Sequence, residues 1–225
     1  MIKAILMAVA PFLLGLAPVA ALAQTTTPAR SVEGQRVYSF ASPRLTVEIA
    51  PELVFLGRGE GLAMNNRARY ERFLFGEVRD GKLVRAAIVH FERFVDGVDG
   101  AFNYPSFRTL NLLGQNYLHQ IWPMPENDIF PQSDLRGLLE RRGVTAEPAW
   151  LLGRYARGVE PALREEVLIF YAESETALGI PIAPLVAQWQ PRGVAEAPGQ
   201  AVEAAFAARM AAAVRIVPAA DQDAR

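Results

Sequence analysis

The sequence predicts an α+β fold, with a mainly antiparallel sheet built on two strand pairs and flanked by helices, one of them at the C-terminus. Three observations predict it. Asp80-Gly81 joins two long apolar runs, a second pair of alternating runs lies at 150–156 and 165–172, and segments of helical period follow each pair. Strands and helices that segregate along a chain in this way favour α+β over alternating β/α order.

The first pair runs from Tyr70 to Val78 and from Leu83 to Val95. Asp-Gly suits a two-residue type I′ turn because both central residues need positive φ. An unbroken register from that turn sets Val78 opposite Leu83, Phe75 opposite Ala86, Phe73 opposite Ile88, Glu71 opposite His90 and Arg69 opposite Glu92. Both faces are then apolar near the turn, so the hairpin is central and each face needs cover. At its polar end, Glu71, His90 and Glu92 share one face. A carboxylate beside an imidazole favours the protonated ring and can tune it as an acid or base. A cross-strand ladder of ion pairs, stabilising little and catalysing nothing, is the competing reading.

Ahead of the hairpin, residues 1–23 have the form of a secretory signal peptide. Lys3 precedes an apolar run, and Ala21-Leu22-Ala23 offers a small-residue cleavage site before Gln24. An uncleaved anchor is the alternative, since the run is nearly long enough to span a bilayer. Residues 24–36, rich in Thr, Ser and Pro, read as a flexible tether, and 37–218 as a single domain with a disordered tail at 219–225. Val37 to Phe40, Arg44 to Ile49 and Leu53 to Leu56 read as short strands. Gly57-Arg58-Gly59-Glu60-Gly61 lacks the Lys-Ser/Thr of a phosphate loop and reads as a flexible connection.

After the hairpin, Asp96-Gly97-Val98-Asp99-Gly100 has too few oxygen ligands for a calcium loop and reads as a turn. Ser106 to Trp122 reads as a helix stopped by Pro123, its apolar side formed by Phe107, Leu110, Leu113, Gly114, Tyr117 and Ile121. A strand from Tyr117 to Trp122 is the alternative, and it would put His119 on the face of Tyr117 and Ile121. The aromatic and acidic loop from Trp122 to Asp128 either rims a site or pins itself to the core. Ser133 to Arg142 reads as a short helix with Ser133 as N-cap, Leu135, Leu138 and Leu139 inward, and Gly143 beyond its end. Trp150 to Ala156 and Glu165 to Ala172 form the second strand pair. Leu185 to Gln190 is a further candidate strand, and Gln200 to Val214 is the terminal helix, with Arg209 at the edge of its apolar stripe.

Composition excludes several chemistries. The 225 residues contain no cysteine, which removes thiol nucleophiles, cysteine-zinc sites and disulfides. The charge is near balance, at 23 basic against 24 acidic residues, which argues against a nucleic-acid partner. Neither HExxH nor GxSxG is present, and the chain has only two histidines. No cofactor and no metal is expected. The function expected is that of an exported, periplasmic, non-catalytic domain that binds an envelope protein or a small apolar ligand in a groove between sheet and helices. Phe107, Tyr117, Trp122 and Arg209 are the candidate contacts, and no stable membrane anchor remains after cleavage. The alternative is a hydrolase using His90 with Glu71 or Glu92. A structural envelope protein, with an exposed apolar patch and no pocket, is a third reading.

Overall fold

Most of the chain is antiparallel β-sheet, which overturns the expected helix-flanked α+β arrangement on two strand pairs. The computed structural model describes residues 29–104, 108–126, 130, 133–190 and 194–217. Three short strands come first: β1 (Arg30–Glu33), β2 (Arg36–Ser39) and β3 (Leu45–Ile49). Residues 30–33, read from sequence as tether, are therefore paired in β1. A long meander follows in β4 (Val54–Ala63), β5 (Ala68–Arg79) and β6 (Lys82–Phe94), then a hairpin of β7 (Thr109–Leu112) and β8 (Gln115–Met124). After helix α1 (Ser133–Glu140) come β9 (Thr145–Ala146), β10 (Trp150–Gly158), β11 (Glu165–Ser174) and the single-turn α2 (Glu175–Leu178). A 3-10 turn at Ala183–Gln188, β12 (Trp189–Gln190), β13 (Val194–Ala195), α3 (Gln200–Ala213) and β14 (Val214–Val217) complete it.

Among the described residues the larger sheet has eight strands, in the order β4-β5-β6-β11-β10-β8-β7, with β9 added in parallel to the start of β6. The smaller sheet runs β1-β2-β3-β14. The main core lies where one face of the large sheet meets the small sheet and α3. Phe73, Phe75, Val89, Phe91 and Ile169 from the large sheet pack with Val47, Ile49 and Val214 from the small one and with Phe206 and Met210 of α3. Gly153 permits the close approach of α3, since a Cβ there would lie 2.5 Å from Met210 Sδ. On the opposite face a second cluster joins Leu74, Ile88, Trp150 and Leu152 to Leu135, Leu138 and Leu139 of α1. A helix this short is not stable alone. Burying those three leucines, at about 1.5–3 kcal/mol each, holds it on the sheet.

Gly57, Gly59 and Gly61 lie inside β4 rather than in a flexible connection, and their alternation has a packing reason. A Cβ would lie 2.6 Å from Leu138 Cδ2 at Gly57, 2.5 Å from Asp134 Oδ2 at Gly59 and 2.6 Å from the Tyr70 hydroxyl at Gly61. The stripe clears one strand face for α1 and Tyr70.

The expected hairpin is present, with Asp80 and Gly81 at φ 50° and 74° and Val78 opposite Leu83, but its register is not unbroken. Beyond the turn Glu77 faces Arg85, so Val84 is an extra residue on β6 and forms a bulge. Everything after it shifts by one: Phe75 faces Ala87, Phe73 faces Val89, Arg72 faces His90 and Glu71 faces Phe91. Because side chains alternate along a strand, this shift puts Glu71 and His90 on opposite faces.

The helix expected from Ser106 to Trp122 is instead the β7–β8 hairpin. Leu113 and Gly114 turn the chain with φ 54° and 73°, and Asn111 secures the turn by accepting from Gly114 N at 3.1 Å and donating to Asn116 Oδ1 at 3.1 Å. Pro123 is tolerated in β8 because β7 covers only the first part of that strand, leaving the rest as an edge. His119 accordingly shares the core face with Tyr117 and Ile121, and its ring lies 5.1 Å from that of Tyr155. The strand expected at Leu185 to Gln190 is mostly the 3-10 turn. No helix among the described residues is long and apolar enough to cross a membrane.

Candidate functional site

A cavity of about 640 Å³ opens between α1 and the face of the large sheet turned away from the main core. Strand alternation decides its lining. β5 contributes Tyr70 and Arg72, β6 contributes Ile88, His90 and Glu92, and β11 contributes Leu168 and Phe170. Leu152 comes from β10, Trp122 and Met124 from β8, Asp134 and Leu135 from α1, and Leu62 and Ala63 from the end of β4. Trp122, Met124, Phe170 and Tyr70 are half-buried and offer contact area, while Ile88, Leu152 and Leu168 form a buried apolar floor.

The polar end is tightly tied. His90 Nε2 lies 3.0 Å from Glu92 Oε2, and the His90 ring stacks on Tyr70 with centroids 5.5 Å apart. The Arg72 guanidinium sits 4.0 Å from the centre of the Tyr70 ring and pairs through Nε with Asp134 at 3.1 Å, linking sheet to helix. Burial pushes the Tyr70 phenol up. Burial also holds His90 below the ordinary imidazole value, outweighing the raising effect of its bond to Glu92, and the charge of Arg72 acts in the same direction as burial. Beside this group, Glu166 of β11 lies directly across from Glu92, and the Tyr104 hydroxyl donates to it. Burial raises Glu166 to about 7; the Glu92 charge adds to this, while the bond from Tyr104 and the charge of Arg154 oppose it. Arg154 donates to Gln120 and lies 5.5 Å from the Trp122 ring and 5.7 Å from the Tyr104 ring.

No protein-family model matches this chain. Comparison with curated proteins and with solved structures also returns no similar protein. What the site can do rests on its own geometry.

The structure brings together His90, Glu92 and Trp122 of the residues singled out from sequence, and separates the others. Glu71 points to the opposite face, where it pairs with Arg30 at 3.2 Å and Arg58 at 2.9 Å. Tyr117 is 2% exposed in the main core, beneath Arg157. Arg209 makes a two-pronged pair with buried Glu173 across from α3, at 2.8–3.0 Å, again on the far face. Phe107 lies outside the described residues. Sequence reasoning missed Arg72, Tyr70, Phe170 and Asp134. The alternation of Tyr70, Arg72 and Leu74 was readable, but only the correct register places it beside His90. Among the described residues, no group of three or more His, Asp or Glu is arranged to hold a metal ion.

Proposed function

We propose that this chain is an exported, non-catalytic binding protein that holds a small, largely apolar ligand between the large sheet and α1. The carrying observation is the cavity itself, about 640 Å³ with half-buried Trp122, Met124 and Phe170 around an apolar floor. Sites for small ligands are concave, mostly apolar, supplied with a few convergent polar groups, and occupy roughly 300–1,000 Å³. The shape favours such a ligand over an envelope protein, which needs a broad contact surface. Export is supported by the leader-like residues 1–23.

The second reading, a hydrolase, has one observation in its favour: the His90–Glu92 pair lines the same cavity. Against it, the described lining includes no serine or threonine, so the pair could activate only water, and burial makes His90 a weak base. Glu71 has no part in it.

Titration of the chain from residue 24 onward with the neutral fluorophore N-phenyl-1-naphthylamine tests the proposal. Saturable binding at one site is expected, weakened about tenfold or more by Trp122→Ala or Phe170→Ala, since a well-packed aromatic contact is worth about 2 kcal/mol when truncated. Absence of saturable binding, or binding indifferent to both changes, overturns it. Turnover of a p-nitrophenyl ester abolished by His90→Gln would move the assignment to the hydrolase.

A further inference from the structure

The His90 ring has two nitrogens, and the protein uses one. Nε2 lies 3.0 Å from Glu92 Oε2, and His90 makes no other hydrogen bond among the described residues. Nε2 of the chain's other histidine, His119, is by contrast buried without a partner. His90 is 7% exposed and lines the cavity, so part of the residue is open to that space.

The protonation of that nitrogen follows from its neighbours. A carboxylate only accepts, so the proton of a neutral ring sits on Nε2, leaving Nδ1 with a lone pair and no proton. Neutrality is favoured by burial and by the charge of Arg72, directly across on β5. The titratable groups facing the ring are Tyr70 and Arg72 of β5, Glu92 of its own strand, Glu166 of β11 and Asp134 of α1. Arg72 is paired with Asp134, and Glu92 accepts the Nε2 proton of the neutral ring. An anionic head would meet no unpaired cation among the described lining, and a cationic head beside the ring would meet the charge of Arg72.

Resting on the cavity reading above, we propose that the ligand is a neutral, largely apolar molecule bearing one hydrogen-bond donor, a hydroxyl or N–H, that meets Nδ1 of His90. The apolar body lies against Phe170, Trp122 and Leu152. A molecule of the same shape without the donor leaves Nδ1 unpaired and dry, so the site discriminates by hydrogen bonding rather than by size.

The test compares 2-naphthol with 2-methoxynaphthalene, both neutral and similar in shape, by fluorescence titration at pH 7.5. 2-Naphthol is expected to bind at least about tenfold more tightly, the consequence of stranding a desolvated acceptor. The preference is expected to disappear in the His90→Phe/Glu92→Gln pair of changes, which removes the acceptor without leaving a lone carboxylate. It should persist in His90→Gln, whose amide can donate to Glu92 and present its oxygen to the cavity. Equal affinity of the two naphthalenes for the unaltered protein overturns the donor assignment while leaving the cavity reading standing. If neither binds, both fall. The comparison on the unaltered protein decides the matter even if a variant fails to fold.

Discussion

Replacing Arg209 by Met should destabilise the protein by about 2–3 kcal/mol. Glu173 is 0% exposed and accepts from Arg209 Nε at 2.9 Å and 3.0 Å, from its terminal nitrogen at 2.8 Å, and from the Tyr171 hydroxyl at 2.6 Å. Two unit charges about 4 Å apart attract by about 4 kcal/mol at an effective dielectric of about 20. Breaking a buried pair by removing one partner usually costs about 3–5 kcal/mol, because a charge is stranded. Two features reduce the figure here. The Arg209 side chain is 41% exposed and partly screened, and Arg85 Nε remains 3.6 Å from Glu173. Methionine keeps the apolar stem that packs along α3, so lost packing adds little. Urea unfolding at pH 7 reads the change directly, and a fall in Tm of about 5–10 °C should accompany it. Adding Glu173→Gln to Arg209→Met should recover much of the loss, because no stranded charge remains. A loss below about 0.5 kcal/mol would refute the reasoning, since it is the size expected of an ordinary surface change. Affinity for N-phenyl-1-naphthylamine should be unaltered, because Arg209 and the cavity lie on opposite faces of the sheet.

The remaining predictions concern titration and packing. Glu166 is raised to about 7 in the folded chain from an ordinary 4.5, so between those values the folded state holds more protons than the unfolded state and stability falls as pH rises. His119 is lowered to about 4 from 6.5, by burial first and then by the charge of Arg108, so the unfolded state holds more protons there and stability falls as pH drops. Each group contributes about 3 kcal/mol at most, and over their shared window the two oppose each other. Glu166→Gln should therefore gain stability relative to the unaltered protein between pH 4.5 and pH 7.5 in urea titrations, and a constant difference would refute the shift. Gly59→Val would place side-chain atoms where Asp134 now lies, so it should cost about 1–3 kcal/mol and also weaken fluorophore binding by lifting α1. Unchanged binding would mean that α1 does not cover the cavity.

Local signals carried much of the fold, and the missing parts have physical reasons. Asp80-Gly81, the leucines of α1, the strands at β10 and β11 and the helix α3 were readable, because each combines apolar period with turn or capping chemistry. Register was not. An alternating strand fixes its own register, whereas β5 and β6 are apolar on both faces, so an extra Val84 leaves no mark in the pattern. That one residue separated Glu71 from His90 and joined His90 to Arg72, Tyr70 and the cavity. The spacing of Leu110, Leu113, Tyr117 and Ile121 fits a helix equally well, and only the turn chemistry of Asn111 and Gly114 distinguishes the hairpin. In β14, Val214, Ile216 and the alternating Arg215 carried a strand signal that the preceding alanine-rich helix obscured. With β7 and β8 taken as helix, Val214 as the end of α3 and 215–217 given no element, the sheet shrinks to two pairs and the fold class is misread.

The position of β14 has a consequence for how the chain comes together. Val214 pairs with Ile49 and Val217 with Thr46, so the small sheet closes only when segments separated by most of the sequence meet. A growing chain that has not yet reached Val214 leaves one edge of β3 open and the main core without Val214 and Ile216. Contacts of such long range are slow to form, and partly built sheets expose strand edges and apolar surface in the meantime. Final consolidation of the small sheet therefore waits for the last described strand, whereas the cluster beneath α1 needs nothing from it.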